Sequence, residues 1–220
     1  ERLRAEMGPL LIAPAYTAPE ADIGYITRYS PGSRENGGVY MHAATWALAA
    51  ACKRRDSASV GQIWNAISPP LRAAIDAEAY RAEPFVTPGN VDGPLSDHPG
   101  KAGWTWYTGS AAWLNRVCLE WVLGIRPTWE GLTIDPVPFP QMGAVDVVRT
   151  WRGRRIRVRF DSAEFSAESK ARVTLNGKSV QNGMLTEKDL AASGVNDVTV
   201  SWGVVTTKLP AALGATERSR

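Results

Sequence analysis

The chain has little cysteine, little histidine and no long apolar run. Its 220 residues hold two cysteines and two histidines. Cys52 and Cys118 show no CxxC or Cys/His spacing, so neither a disulfide framework nor a metal site is expected, and no cofactor is called for. Both cysteines fall in helix-like stretches and read as buried free thiols of a reducing, cytoplasmic setting. No run of roughly eighteen or more uncharged apolar residues occurs, which excludes a helical membrane span. Charge of one sign is scarce as well: 25 basic against 22 acidic residues leave +3, too small a surplus to argue for nucleic acid. The opening Glu1-Arg2-Leu3-Arg4 carries neither an initiator methionine nor a signal-like segment and reads as a piece of a longer product.

Tryptophan is the residue in excess, with nine copies. An indole face covers the apolar C–H face of a pyranose at small entropy cost, so sugar-holding proteins favour it. Trp64 and Trp202 lie in periodic stretches and read as core. Met41, Thr45, Leu48 and Cys52 recur at helical spacing and predict a helix to about Lys53. Further helices are predicted from Ser57 to Ala66 with Asp56 or Ser57 as cap, from Pro70 to Tyr80, and from Ser110 to Leu123 with Gly124 as the stop. Between them, Pro19 to Gly38 and Glu83 to Gly103 are long loops of the kind that carry function.

Character changes at the Pro-rich segment from Asp135 to Pro140. Arg155 to Phe160 then alternates as a half-buried strand, and Asn176-Gly177 is a two-residue hairpin signal. The expected organisation is a helical domain over 1–134, an antiparallel β-sandwich over 135–209 and a disordered tail over 210–220. Six arginines between Arg149 and Arg159 alternate with Ile156, Val158 and Phe160, which places them on the solvent face of a strand rather than on a nucleic-acid surface.

Two segments concentrate polar and aromatic groups. Tyr25 to His42 delivers tyrosines, arginines, a carboxylate and an amide in a loop that ends at a helix start. A histidine there adds a donor to the free N–H groups of the first turn, an arrangement suited to phosphate, and Gly37-Gly38 lets backbone approach a ligand. In Gly103 to Ser110, Thr108 and Gly109 offer a hydroxyl and an unhindered N–H to an oxyanion, and Trp104 or Trp106 offers a sugar platform. The plainer alternatives are a structural histidine, an N-cap at Thr108 or Ser110, and core tryptophans.

Arg34-Glu35-Asn36-Gly37-Gly38-Val39-Tyr40-Met41-His42, Glu83-Pro84-Phe85-Val86, Gly103-Trp104-Thr105-Trp106-Tyr107-Thr108-Gly109-Ser110-Ala111, Leu123-Gly124-Ile125-Arg126-Pro127 and Leu132-Thr133-Ile134-Asp135-Pro136 together, in this order, resemble the signature blocks of glycoside hydrolase family 94. That family contains inverting cellobiose, cellodextrin, cellobionic acid and chitobiose phosphorylases and the phosphorylase-like end of cyclic β-1,2-glucan synthases. The resemblance implies an α+β multidomain chain, the C-terminal part of an (α/α)6 barrel followed by a jelly-roll-like antiparallel sandwich. It implies hexosyl transfer from a β-linked oligosaccharide to inorganic phosphate as co-substrate, and a homodimer. By position, His42, Thr108 and Gly109 match phosphate-holding residues, and Tyr29, Arg34 and Glu35 match residues that contact sugar.

The family's general-acid aspartate is expected upstream of this chain. Asp22, Asp92 and Asp97 read as loop or capping residues, and no catalytic residue is assigned here. Thr87-Pro88-Gly89-Asn90 stands where cellobiose phosphorylases carry a glutamine and is closer to the cellobionic acid and β-1,2-glucan branches. Glu35 is read as an acceptor for a sugar hydroxyl. Two alternatives remain: an inverting hydrolase with Glu35 as base, and a non-catalytic carbohydrate-binding remnant.

Overall fold

A computed structural model describes residues 2–106, 108–161 and 171–202. The expected tail at 210–220 and the end of the expected sandwich lie outside the described residues. The fold is mixed, with few helices and several sheets.

Apolar spacing forms α1 (Met41–Lys53), which buries Met41, Ala44, Leu48, Ala51 and Cys52. The Asp56 carboxylate accepts the Ser59 N–H at 3.0 Å and starts α2 (Ser57–Ile67), as an N-cap does. The stretch expected as one helix from Pro70 to Tyr80 is two, α3 (Pro69–Ile75) and α4 (Ala77–Tyr80). Asp76 causes the break: its backbone leaves the helical region and its carboxylate accepts the Ala79 N–H at 2.9 Å, the local competition that disfavours Asp inside helices. α5 (Thr108–Val117) continues as a π-helical turn over Cys118–Val122. Gly124 then reverses the chain at φ 66°, with its α-carbon against the Asp135 backbone where no Cβ fits.

Strands β1 (Arg4–Ala5) and β2 (Gly8–Pro9) pair as a hairpin. Strands β3 (Val39–Tyr40), β4 (Asn90–Val91) and β5 (Ala102–Gly103) form a small sheet in that order, antiparallel throughout. The remainder of the described chain gives β6 (Ile125–Pro127), β7 (Leu132–Ile134), β8 (Val145–Trp151), β9 (Arg154–Phe160), β10 (Ala171–Leu175), β11 (Lys178–Ser179), β12 (Met184–Leu185) and β13 (Val195–Trp202). These make a three-stranded sheet, β12-β7-β6, and a five-stranded one, β11-β10-β13-β9-β8. Asn176 and Gly177, at φ 49° and 80°, turn β10 into β11 with Leu175 opposite Lys178, as an Asn-Gly hairpin requires.

The larger sheet departs from the antiparallel expectation at one pair, because β13 enters parallel to β9. The fully buried Asn196 fixes that entry. Its amide accepts the Ala191 N–H at 2.8 Å and donates to the Arg155 carbonyl on β9 at 3.2 Å.

Two apolar cores result. One gathers α1, α2 and α5 with Val137 and Phe139; the other gathers Leu123, Ile125, Leu132 and Ile134 with Ile156, Val158, Phe160, Val198, Val200 and Trp202. Strands β6 and β7, which precede the expected change at Asp135, therefore already serve the second core, and the Pro-rich segment runs along the junction. Trp64 packs on the first core and Trp202 is buried in the second. The outer arginines are paired: Arg157 with Asp146, Arg159 with Asp197 at 3.0 Å, and Arg154 with Glu187 at 3.6 Å. Among the described residues, no helix is long and apolar enough to cross a membrane.

Both cysteines are free thiols. Burial pushes Cys52, Cys118 and the Tyr80 phenol up to about 12. Each group therefore keeps its proton in the folded state at a pH where the unfolded chain has lost it. Stability from these groups is fully present below about pH 9 and falls as pH rises from there toward 12. Urea midpoints measured at about pH 8 and about pH 10.5 are expected to show a clear decrease; equal midpoints contradict it.

Candidate functional site

Strands β3 and β5 both run antiparallel to β4 between them, so they point the same way, ~10 Å apart. β3 leads directly into α1, and β5 leads through Trp104, Thr105 and Trp106 toward α5. The N-termini of α1 and α5 consequently leave the same end of one sheet. Backbone bonds tie the third segment to them: Met41 N–H donates to the Gly89 carbonyl at 3.0 Å, and Gly89 N–H is shared between the carbonyls of Gly103 at 3.1 Å and Trp104 at 3.0 Å. Two partially positive helix ends thus follow strands that end on the same side of this small sheet.

His42 is the second residue of α1. Its ring meets Trp46 edge-on at 5.0 Å between centroids and lies 5.9 Å from Trp113 on α5. Its Nε2 is buried with no hydrogen-bond partner among the described residues. Buried polar atoms are nearly always satisfied, so this nitrogen is open to a partner from outside the described residues. Thr108 and Gly109 open α5 and are exposed, and nothing lies within 4 Å of where a Gly109 Cβ would stand. Trp46 and Trp113 are not among the residues singled out by sequence; the signal for Trp46 is its i+4 spacing from His42, whereas Trp113 requires knowing that α5 packs on α1.

The Tyr29 to Gly38 loop carries a stack. The Arg34 guanidinium lies 4.3 Å from the Tyr29 ring centroid and 3.8 Å from that of Trp104. Arg34 Nε faces Glu35 Oε2 at 3.6 Å. Trp106 is 74% exposed, and its indole N–H donates to Glu83 Oε1 at 3.0 Å. The Glu83 backbone N–H and that indole hold the carboxyl below the usual carboxylate range. Glu83 is thus the residue of the Glu-Pro-Phe block that orients a site aromatic.

Gly37 and Gly38 have a different use from the expected one. A Cβ on Gly38 would stand 2.6 Å from the Arg34 carbonyl and 2.9 Å from Asn90 Oδ1, and one on Gly37 would stand 2.7 Å from Ala15 Cβ. It is protein, not ligand, that approaches these glycines. Asp92 accepts from Asn90 Nδ2 at 3.0 Å and from the Ser96 hydroxyl at 2.9 Å, a loop-tying role as expected. No group of three His, Cys, Asp or Glu that could hold a metal occurs among the described residues. The described edge therefore combines hydrogen-bond donors and aromatic faces, a combination suited to an oxyanion beside a sugar.

The family model for the Glycosyl hydrolase 94 superfamily, catalytic domain, matches residues 1–124. The chain is 42% identical over 131 residues to the cyclic beta-(1,2)-glucan synthase NdvB of Rhizobium meliloti (strain 1021), covering 58% of this chain and 4% of that protein. It is 28% identical over 181 residues to the N,N'-diacetylchitobiose phosphorylase of Vibrio proteolyticus, covering 82% and 22%. It is 24% identical over 201 residues to the cellobionic acid phosphorylase of Neurospora crassa, covering 89% and 24%. The chain spans about a quarter or less of the length of these relatives. The helices, loops and small sheet that build this edge all fall within the matched residues, and the chain belongs to the glycosyl hydrolase 94 superfamily.

Proposed function

We propose that this chain supplies the phosphate side and part of the sugar side of an inverting glycoside phosphorylase. In this reading it is the last part of an (α/α)6 barrel followed by a jelly-roll-like domain. The observation that carries the reading is the pair of helix N-termini leaving one sheet edge, with the unpartnered His42 Nε2 beside the first turn of α1. Phosphate is already a nucleophile and needs no base; it needs to be held and partly neutralised opposite the leaving sugar. His42, Thr108 and Gly109 supply that with donors and helix-end dipoles, which position the dianion without protonating it. Tyr29, Arg34, Glu35, Trp104 and Trp106 serve the sugar.

The general acid that protonates the glycosidic oxygen is assigned to no residue of this chain. Three names among the relatives, N,N'-diacetylchitobiose, solabiose and cellobionic acid phosphorylase, support phosphorolysis of a β-linked disaccharide. Ion pairing of Glu35 with Arg34 supports a carboxylate that accepts from sugar hydroxyls rather than a hydrolytic base.

The test uses a polypeptide that carries this chain with the rest of the catalytic domain. Incubated with β-linked disaccharides and aldonic-acid disaccharides, it is expected to release sugar 1-phosphate only when inorganic phosphate is present. Release of free sugar without phosphate overturns the proposal in favour of hydrolysis, and binding without any release overturns it in favour of a carbohydrate-binding remnant.

A further inference from the structure

We infer that Trp104 is a positioning residue: it clamps Arg34 against Tyr29. The inference rests on the saccharide reading of this loop. The guanidinium lies between two aromatic faces, 3.8 Å from the Trp104 centroid and 4.3 Å from that of Tyr29. The two rings come from separate loops, so the stack joins the segment ahead of α1 to the segment ahead of α5. Both partners adopt left-handed backbone to meet, Arg34 at φ 53° and Trp104 at φ 52°. Residues with side chains hold that conformation only where their surroundings impose it.

Trp104 also packs on protein beyond the arginine, with 42% of the residue left exposed. A Cβ on Gly89 would stand 3.2 Å from Trp104 Cβ and 3.3 Å from its Cε3, so the base of the indole packs on the Gly89 backbone while the guanidinium stands over its ring. Arg34 Nε is turned inward, buried 3.6 Å from the equally buried Glu35 Oε2. With both faces covered and Nε turned in, the group offers a ligand its Nη edge, a planar donor fork fixed in one plane. Glu35 offsets the charge, so the fork suits the paired hydroxyls of a neutral saccharide better than a second anion. Trp106, 74% exposed and tethered through its N–H to Glu83, presents a further ring to a pyranose.

The experiment is a double-mutant cycle read by calorimetric Kd for β-1,2-, β-1,3- and β-1,4-linked diglucosides on the full polypeptide. W104L is expected to weaken binding about tenfold and W104F less than about threefold, since a phenyl face still stacks. In the R34M background W104L is expected to cost nothing further, because its effect runs through Arg34. Nuclear magnetic resonance supplies a readout free of ligand: the Arg34 Nε–H signal should be displaced by ring currents and return toward the exposed-arginine position in W104L. Additive losses in the cycle, or an undisplaced Arg34 signal, overturn the clamp. Failure of the unsubstituted protein to bind any of the diglucosides overturns the saccharide reading instead, which separates the two.

Discussion

Replacing His42 by alanine is expected to raise the phosphate concentration for half-maximal phosphorolysis about 100-fold while changing disaccharide Kd less than about threefold. A donor to a dianion contributes ~1.5–3 kcal/mol, and 100-fold corresponds to ~2.7 kcal/mol. The loss is expected not to be total, because the proposed site keeps the N–H groups that open α1 and α5. The fold gives up little in return. Among the described residues His42 Nε2 has no hydrogen bond to lose, and ring packing on Trp46 and Trp113 is what disappears. Initial rates over a phosphate series, with disaccharide Kd measured in parallel, check the result. Equal losses in phosphate and sugar would show that His42 supports the loop rather than the nucleophile.

What the sequence discloses follows from the range of the interaction concerned. Helical spacing and caps are local, and α1, α2, α5 and the Asn176-Gly177 hairpin stand where periodicity and turn chemistry place them. The break at Asp76 is local too, but Pro70 to Tyr80 has an even enough pattern to hide it, since an Asp inside a helical stretch is either tolerated or a new cap according to its surroundings. The parallel entry of β13 beside β9 depends on Asn196 reaching Arg155 and Ala191, contacts no spacing encodes.

The site divides in the same way. That His42 stands at a helix start is legible because helix starts are, whereas Thr108 and Gly109 lie ahead of the start expected at Ser110 and prove to open α5. That both starts leave one sheet edge depends on β3, β4 and β5, each of two residues, too short to carry a pattern. Gly37-Gly38 is legible as a place of close approach, whereas the approaching groups, Ala15, Arg34 and Asn90, appear only in three dimensions.

Asn36 is where loss of a single side chain should do most damage to the fold. It is fully buried, its Oδ1 accepts the Tyr16 N–H at 2.7 Å, and its Nδ2 donates to the carbonyls of Tyr16 at 2.9 Å and Tyr29 at 2.7 Å. One amide therefore ties the chain before Pro19 to the turn after Tyr29 and closes the loop that carries Arg34 and Glu35. Asn36→Ala leaves three backbone groups unsatisfied in the interior and is expected to cost ~3 kcal/mol, lowering Tm by about 6–12 °C for a chain of this size.

Asn36→Asp, almost isosteric, is expected to be worse at neutral pH. Its carboxylate still accepts from Tyr16 but confronts two carbonyls with an acceptor and buries a charge. Protonation restores one donor, so the folded pKa of the introduced acid lies above its unfolded value. The Asp variant therefore regains stability as pH falls through the folded value toward about 4, where the alanine variant shows no such recovery. Melting curves of both variants at about pH 7 and about pH 4.5 check the order. An Asp variant no less stable than the alanine variant at neutral pH would mean that water, and not the two carbonyls, is the partner Asn36 serves.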